Sequence, residues 1–239
     1  MVMPFPMSLS GRAQRFLDEH AVRSPISLDD PGRWYECADA AGTVVPGPAD
    51  GLDRLVEFVR RFGGLAFCDG RLPCDGLHRH RYEFDDSVSS GWDELGDGDL
   101  VATVGSEEGG HLLTMSWATG RIGVVSPDCW IADSATNLIE SCAVGQSIQA
   151  DRSWTEAVPV NGRGPGWGLE GLPSEAFRGA VAEVVEASSE WNRWYLDDQV
   201  AVHGWRVTYE PQRSEAVMAW YRGDSGRRRI EAVTGALRD

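Results

Sequence analysis

The stretch GLDRLVEFVRRFGG, residues 51–64, places apolar side chains at Leu52, Leu55, Val56, Val59 and Phe62. That i, i+3, i+4, i+7 spacing puts them on one face of a helix. Asp50 stands where it can cap the N-terminus by accepting a backbone N–H. Gly63 and Gly64 can take the left-handed conformation that ends a helix. The next four residues, Leu65-Ala66-Phe67-Cys68, form an apolar run of a length that suits a buried strand. An amphipathic helix therefore feeds a sheet through a double glycine. By itself this is equally the pattern of an ordinary helix-to-strand corner.

Working outward, Ser10 is placed to cap a helix through about His20, with Ala13, Phe16 and Leu17 on one side. Residues 24–31 read as loop. Trp34-Tyr35 and Thr43-Val44-Val45 read as strands before the break at Pro46-Gly47-Pro48. After the corner, Asp69-Gly70 and Asp75-Gly76 are turn signals. His80, Tyr82 and Phe84 alternate with Arg79, Arg81 and Glu83, as in a half-exposed strand. Residues 85–99 form an acidic loop around Trp92. Strands are expected at 100–104, 111–117 and 122–126, the last two joined as a hairpin through Thr119-Gly120. Trp130-Ile131-Ala132 leads into a helix over 134–142, with Leu138 and Ile139 inward. Residues 145–173 change character, and GRGPGWGLEG, 162–171, reads as a linker or an arm across the surface. A helix is expected over 174–188, on Ala176, Phe177, Ala180, Val181, Val184 and Val185. Strands follow at 200–209, 215–221 and 228–233.

Two stretches together resemble the SUKH superfamily, domains that bacteria use as immunity proteins against polymorphic toxins. One is the corner itself, in the form LxxFxxxFGGLxF. The other is TGRIGVVSPDCWIADSATNLIESCA, 119–143. The resemblance covers about 50–145 and implies a non-catalytic protein-binding role, in which the chain occludes the active site of a cognate toxin domain.

The 239 residues are enough for one large domain or two small ones. The chain carries a net charge of -15, from 37 acidic and 22 basic residues. Every basic residue is arginine, a choice that GC-rich codons alone produce. An acidic surface repels phosphate backbones, so no nucleic acid is expected as a partner, and Arg227-Arg228-Arg229 is too small a cluster to change that. The same charge favours a basic protein partner, although it also simply keeps a protein soluble. No apolar run approaches the length of a membrane span, and the first residues lack the pattern of a signal peptide. Five cysteines, an odd number without dense spacing, suit a reducing cytoplasm.

Cys68, Cys74, His78 and His80 are the right ligand types for tetrahedral zinc. Their C-x5-C-x3-H-x-H spacing is not that of a standard finger, so neither metal nor cofactor is expected. His20, His78, His80, His111 and His203 sit in no catalytic signature, and no nucleophile elbow, P-loop or dinucleotide fingerprint is present. Gly162-Arg163-Gly164-Pro165-Gly166 lacks the flanks of a phosphate loop. The acidic residues give the better candidate. Trp92, Asp93, Glu94, Asp97 and Asp99 in one loop, with Glu107 and Glu108 in the next turn, can form one negative patch with an aromatic anchor for a basic toxin domain. The alternative is a solvated loop with Trp92 folded inward. The ten tryptophans crowd the second half and read as core.

The expected class is α+β: a mostly antiparallel sheet flanked by helices over 50–145, with residues 1–49 packed on it, a linker at 146–173 and a C-terminal α+β unit at 174–239. An enzyme or small-ligand protein with a Trp-rich pocket in that unit, and an assembly or scaffolding subunit, remain open as other functions.

Overall fold

The computed structural model describes residues 8–29, 35–68, 81–88, 91–94, 99–107, 111–124, 130–157, 181–206 and 215–235. Asp97, Glu108, Cys74, His78, His80, the two Asp-Gly turns and the glycine-rich arm lie outside them.

Helix α1 spans Gly11–His20, and the Ser10 side chain accepts from the Ala13 N–H, as its cap position requires. Strands β1 (Ala21–Arg23) and β2 (Cys37–Ala38) follow, then helix α2 (Gly51–Phe62) and β3 (Leu65–Cys68). Next come β4 (Arg81–Phe84), β5 (Trp92–Glu94), β6 (Leu100–Glu107), β7 (Leu112–Ser116), β8 (Ile122–Val124) and β9 (Trp130–Ala132). Together they make one sheet in the order β1-β3-β4-β6-β7-β8-β9, with β5 pairing β6 and β2. Every pairing but β2–β5 is antiparallel. The α+β class is borne out, and the corner at 51–68 lies at its heart.

Two details of that corner differ from expectation. Asp50 makes no capping bond. Its carboxylate instead takes hydrogen bonds from Arg54 Nε at 2.8 Å and Trp117 Nε1 at 3.2 Å, because those side-chain donors reach it first. Only Gly64 is left-handed, with φ 67°. Gly63 is glycine for space, since a Cβ there would meet the Asp85 carbonyl oxygen at 2.9 Å. Helix α2 buries Phe58 as well as Leu55, Val59 and Phe62. Phe58 meets Phe84 edge-on, with ring centroids 5.3 Å apart, a favoured aromatic geometry. Phe16 of α1 meets Phe67 in the same way at 5.9 Å.

Helix α3 runs from Ala135 to Ala150 under a Ser134 cap, well beyond the expected end at 142. Residues 137–145 are all buried and so show no one-sided apolar period; a wet side returns only from Gln146 on, with Ser147 and Gln149 exposed. Leu138, Ile139 and Cys142 join the core beneath the first sheet. Val144 and Ile148 meet Trp194, Ala201 and Trp220 of a second sheet. That sheet orders β10 (Thr155–Ala157), β13 (Glu215–Tyr221), β12 (Val200–Arg206) and β11 (Asn192–Leu196). The expected linker is thus helix and strand over 146–157.

Two further expectations fail for physical reasons. The described part of the expected 174–188 helix, 181–188, lies along β11: the Val184 N–H donates to Trp194 O and the Leu196 N–H to Ala182 O. Pairing with a sheet edge wins over helical periodicity there, with a short 3-10 turn at Val185–Ala187. The expected strand at 228–233 is helical, within α4 (Gly223–Gly235), which seats Ile230 on the other side of the second sheet. Gly226 marks no turn; it lets the helix approach the Gln199 carbonyl oxygen, where a Cβ would overlap.

Helix α4 is clamped by Asp197, which accepts from Arg229 Nη2 at 2.7 Å and from the N–H groups of Gln199 and Val200 at 2.8 Å each. Burial alone pushes this carboxyl up, but the hydrogen bonds from Arg229, Gln199 and Val200 outweigh it and hold its pKa below the usual range. A depressed folded-state pKa adds stability above the unfolded value, and that stability is lost as pH falls through the folded one. Chemical denaturation between pH 5 and pH 2 should therefore show a shallower loss of stability in Asp197→Asn than in the parent chain. Parallel curves would dismiss the clamp.

Candidate functional site

Residues directly opposite in an antiparallel pair point to the same face of a sheet. Successive pairings place Val22, Ala66, Glu83, Ser106 and Leu112 in one row across β1, β3, β4, β6 and β7. Further along β6 the same face carries Thr103 beside Thr114, then Val101 between Asp93 and Ser116. The other face carries Phe67, Tyr82, Phe84, Leu113 and Ile122, all in the cluster packed under the helices. Ala66 and Val101, the buried apolar members of the first face, stand outside that cluster. Among the described residues, then, the three helices α1 to α3 cover one side of the large sheet and no helix covers the other.

Among the described residues, the exposed charges on this face are two carboxylates and Arg81, which stands beside Glu83. Glu83 and Asp93 are exposed on it, and Asp99 accepts from Ser116 Oγ at 3.0 Å. Val22 is 67% and Leu112 50% exposed at the two ends of the long row. Their strands are separated by four inter-strand steps, about 19 Å. Five residues of β6 separate Val101, opposite Asp93, from Ser106, opposite Glu83, which is about 16 Å. Beside Glu83, an open groove of about 320 Å³ is lined by Ser24, Gly64, Glu83, Phe84, Asp85, Asp86 and Ser106.

The expected single patch is not what the structure builds. Trp92 has 0% exposure; it sits on a strand, where alternation turns it inward toward the Tyr35 hydroxyl while Asp93 points out. It therefore cannot serve as an exposed anchor. Glu94 lies opposite Leu100, on the helix side of the sheet. Glu107 is at the far end of β6, opposite the buried Tyr82. Its side chain is only 9% exposed and lies 3.8 Å from His111 Nε2. Of the named acidic residues that are described, Asp93 and Asp99 remain together. Glu83, which was not singled out, completes the face; its signal was the alternation in RYEF, with Tyr82 and Phe84 inward.

The partly exposed aromatic at this end of the sheet is Trp117. Arg54 lies 5.0 Å from the centre of its ring and donates to its carbonyl at 2.5 Å. Asp50 accepts the Trp117 Nε1–H and, chiefly through Arg54, has its carboxyl pKa lowered. The corner helix, the hairpin and the acidic end are thus tied by one exposed network.

Cys68 is half-buried, pointing to the same side as Ala66, and no group of His, Cys, Asp and Glu among the described residues is arranged to hold a metal. In the second unit Trp194 and His203 have 0% exposure and Trp220 6%. The Trp194 and His203 rings stack at 3.9 Å and Trp220 lies 6.0 Å from Trp194, so these rings fill an interior. No helix among the described residues is long and apolar enough to cross a membrane. No family model, curated protein or solved structure matches the chain.

Proposed function

We propose that this chain is a cytoplasmic, non-catalytic protein-binding module of the immunity type, which neutralises a basic bacterial toxin domain by covering its active site. The observation that supports this most directly is the face of the large sheet that no described helix covers, with its carboxylates at Glu83, Asp93 and Asp99. Carboxylates at Glu83, Asp93 and Asp99 steer a basic partner, and Val22 and Leu112 supply apolar area to bury once it has docked. The net charge of -15 disfavours nucleic acid and a second copy of the chain on the same face. The resemblance of 51–68 and 119–143 to the SUKH superfamily points to the same role.

The test is co-expression with a toxin domain encoded beside the gene, read as rescue of growth, followed by association kinetics with the purified pair. The parent chain should rescue growth. A folded Glu83→Arg/Asp93→Arg variant should associate at least about tenfold more slowly at low salt, with a flatter salt dependence. Absence of both binding and rescue by the parent would remove the neutralisation reading. Unchanged kinetics in the variant would remove the face.

A further inference from the structure

The second unit is held to the first in two ways. Inside, Asn192 Nδ2 donates to Ile131 O at 3.2 Å and the Trp194 indole Nε1–H donates to Ser141 Oγ at 2.9 Å. At the rim of this junction stands a cluster of charges. Antiparallel pairing of Ile122 with Ala132 brings Arg121 alongside Asp133, the residue before the α3 cap. Arg121 Nη2 lies 3.5 Å from Glu190 Oε2, just ahead of β11, and its guanidinium lies 5.6 Å from the centre of the Trp191 ring. One guanidinium of the first unit thus serves a carboxylate of its own unit and a carboxylate of the second. Packing pushes the Asp133 carboxyl up, Arg121 pulls it down and Glu190 pushes it up, with the balance upward. On the elements packed around the cluster, Glu140 of α3 is engaged by the Ser10 N–H and Oγ, and Asp99 by Ser116 Oγ. Arg193 belongs to the α4 side of the second sheet, and Glu183 and Glu186 are exposed on the segment along β11.

A half-exposed ion pair is weak by itself, so its strength depends on what else the guanidinium must neutralise. With Asp133 charged, Arg121 is divided between two carboxylates that repel each other across the junction. With Asp133 protonated, that repulsion is gone and Arg121 serves Glu190 alone. We propose that Arg121, Asp133 and Glu190 form a proton-sensitive clasp, which draws the second unit more tightly onto the first when Asp133 takes up a proton. The sign follows from linkage. The closed junction holds the Asp133 proton more tightly than the open one, so closure gains in acid and loses that gain as pH rises through the raised value. The clasp concerns the junction alone and holds whatever partner the chain binds.

The Trp194 indole Nε1–H, buried across the junction, reports its opening. Its hydrogen-exchange protection is read by NMR in the full-length ¹⁵N-labelled chain at pH 7. Asp133 also stands near the positive end of α3, where a carboxylate stabilises a helix. Asp133→Asn is therefore measured with and without Glu190→Gln, and the difference is the coupling between the two carboxylates. Asp133→Asn should raise protection about two- to fivefold more with Glu190 present than without it, the size of an exposed charge pair. Arg121→Gln should show a coupling to Glu190 of opposite sign and similar size, lowering protection more when Glu190 is present. Between pH 7 and about pH 4.5, protection in the parent, corrected for intrinsic exchange, should gain about twofold relative to Asp133→Asn. Groups that titrate in both chains, His203 among them, cancel in that ratio. Additive effects of Asp133→Asn and Glu190→Gln, or the same pH response in the parent and Asp133→Asn, would overturn the clasp. Coupling of Glu190 to Arg121 alone would leave a fixed ion pair with no proton switch, and would overturn it equally.

Discussion

Trp194→Ala should destabilise the protein by about 3–5 kcal/mol, the range for removing a large aromatic from a packed core. The indole has 0% exposure. It stacks on His203 with an interplanar angle of 4°, lies 6.0 Å from Trp220, and packs with Val144 and Ile148 of α3. Its Nε1–H also donates to Ser141 Oγ at 2.9 Å, inside the interface. Ser141 Oγ in turn donates to Asn192 Oδ1 at 3.3 Å, and Asn192 Nδ2 donates to Ile131 O at 3.2 Å. Asn137 adds bonds from α3 to the carbonyls of Glu186 and Ser188 at 3.1 and 2.9 Å. Truncating Trp194 removes the stack, opens a cavity and leaves part of this buried chain of bonds unmet. Trp194→Phe separates the terms: it keeps most of the packing, loses the donor, and should cost about 1–3 kcal/mol. Urea denaturation followed by circular dichroism measures both. A loss below about 1 kcal/mol in Trp194→Ala would mean that the second sheet does not dock on α3 through this residue.

The corner glycine gives the second large effect. Gly64→Ala should cost about 2–5 kcal/mol, from two sources that a control can separate. Gly64 has φ 67°, a left-handed conformation that costs a residue with a Cβ about 1–2 kcal/mol. A Cβ at Gly64 would also overlap the Ser24 carbonyl oxygen, forcing β1 and the segment after it away from the corner. Overpacking of that kind adds about 1–3 kcal/mol. Gly120 has a similar φ of 73° with nothing within 4 Å of the added Cβ, so Gly120→Ala reports the conformational part alone. Denaturation midpoints that fall equally in the two variants would show that the crowding at Ser24 is relieved at no cost.

How far the sequence could be read depended on whether an element is packed on one side or on two. Helices α1 and α2 have one buried face each, so periodicity and the cap at Ser10 located both closely. Strand β4 has one wet face, so RYEF alternates visibly and the alternation itself turns Glu83 outward. Helix α3 is buried all round from Asn137 to Gly145, so that stretch shows no apolar period to carry the helix past residue 142. At 181–188 the backbone of β11 offered hydrogen bonds that outweighed a helical spacing of valines. In α4, Gly226 resembled a turn although it serves close approach to Gln199. The acidic stretch 85–99 read as loop because β5 is only three residues long and one of its two partners, Cys37–Ala38, is far away along the chain.

Local chemistry by itself determined the corner at 51–68, the α+β class, the hairpin after residue 111 and the acidic character of the whole surface. Each follows from spacing, turn residues or charge count, which act within a few residues or not at all through space. Tertiary structure alone decided which carboxylates stand together. Pairing register places Asp93 and Glu83 on one side of β6 and Glu107 on the other, and it turns Trp92 inward. A shift of one residue in that register reverses every one of those assignments, and the register is set by partners far away along the chain.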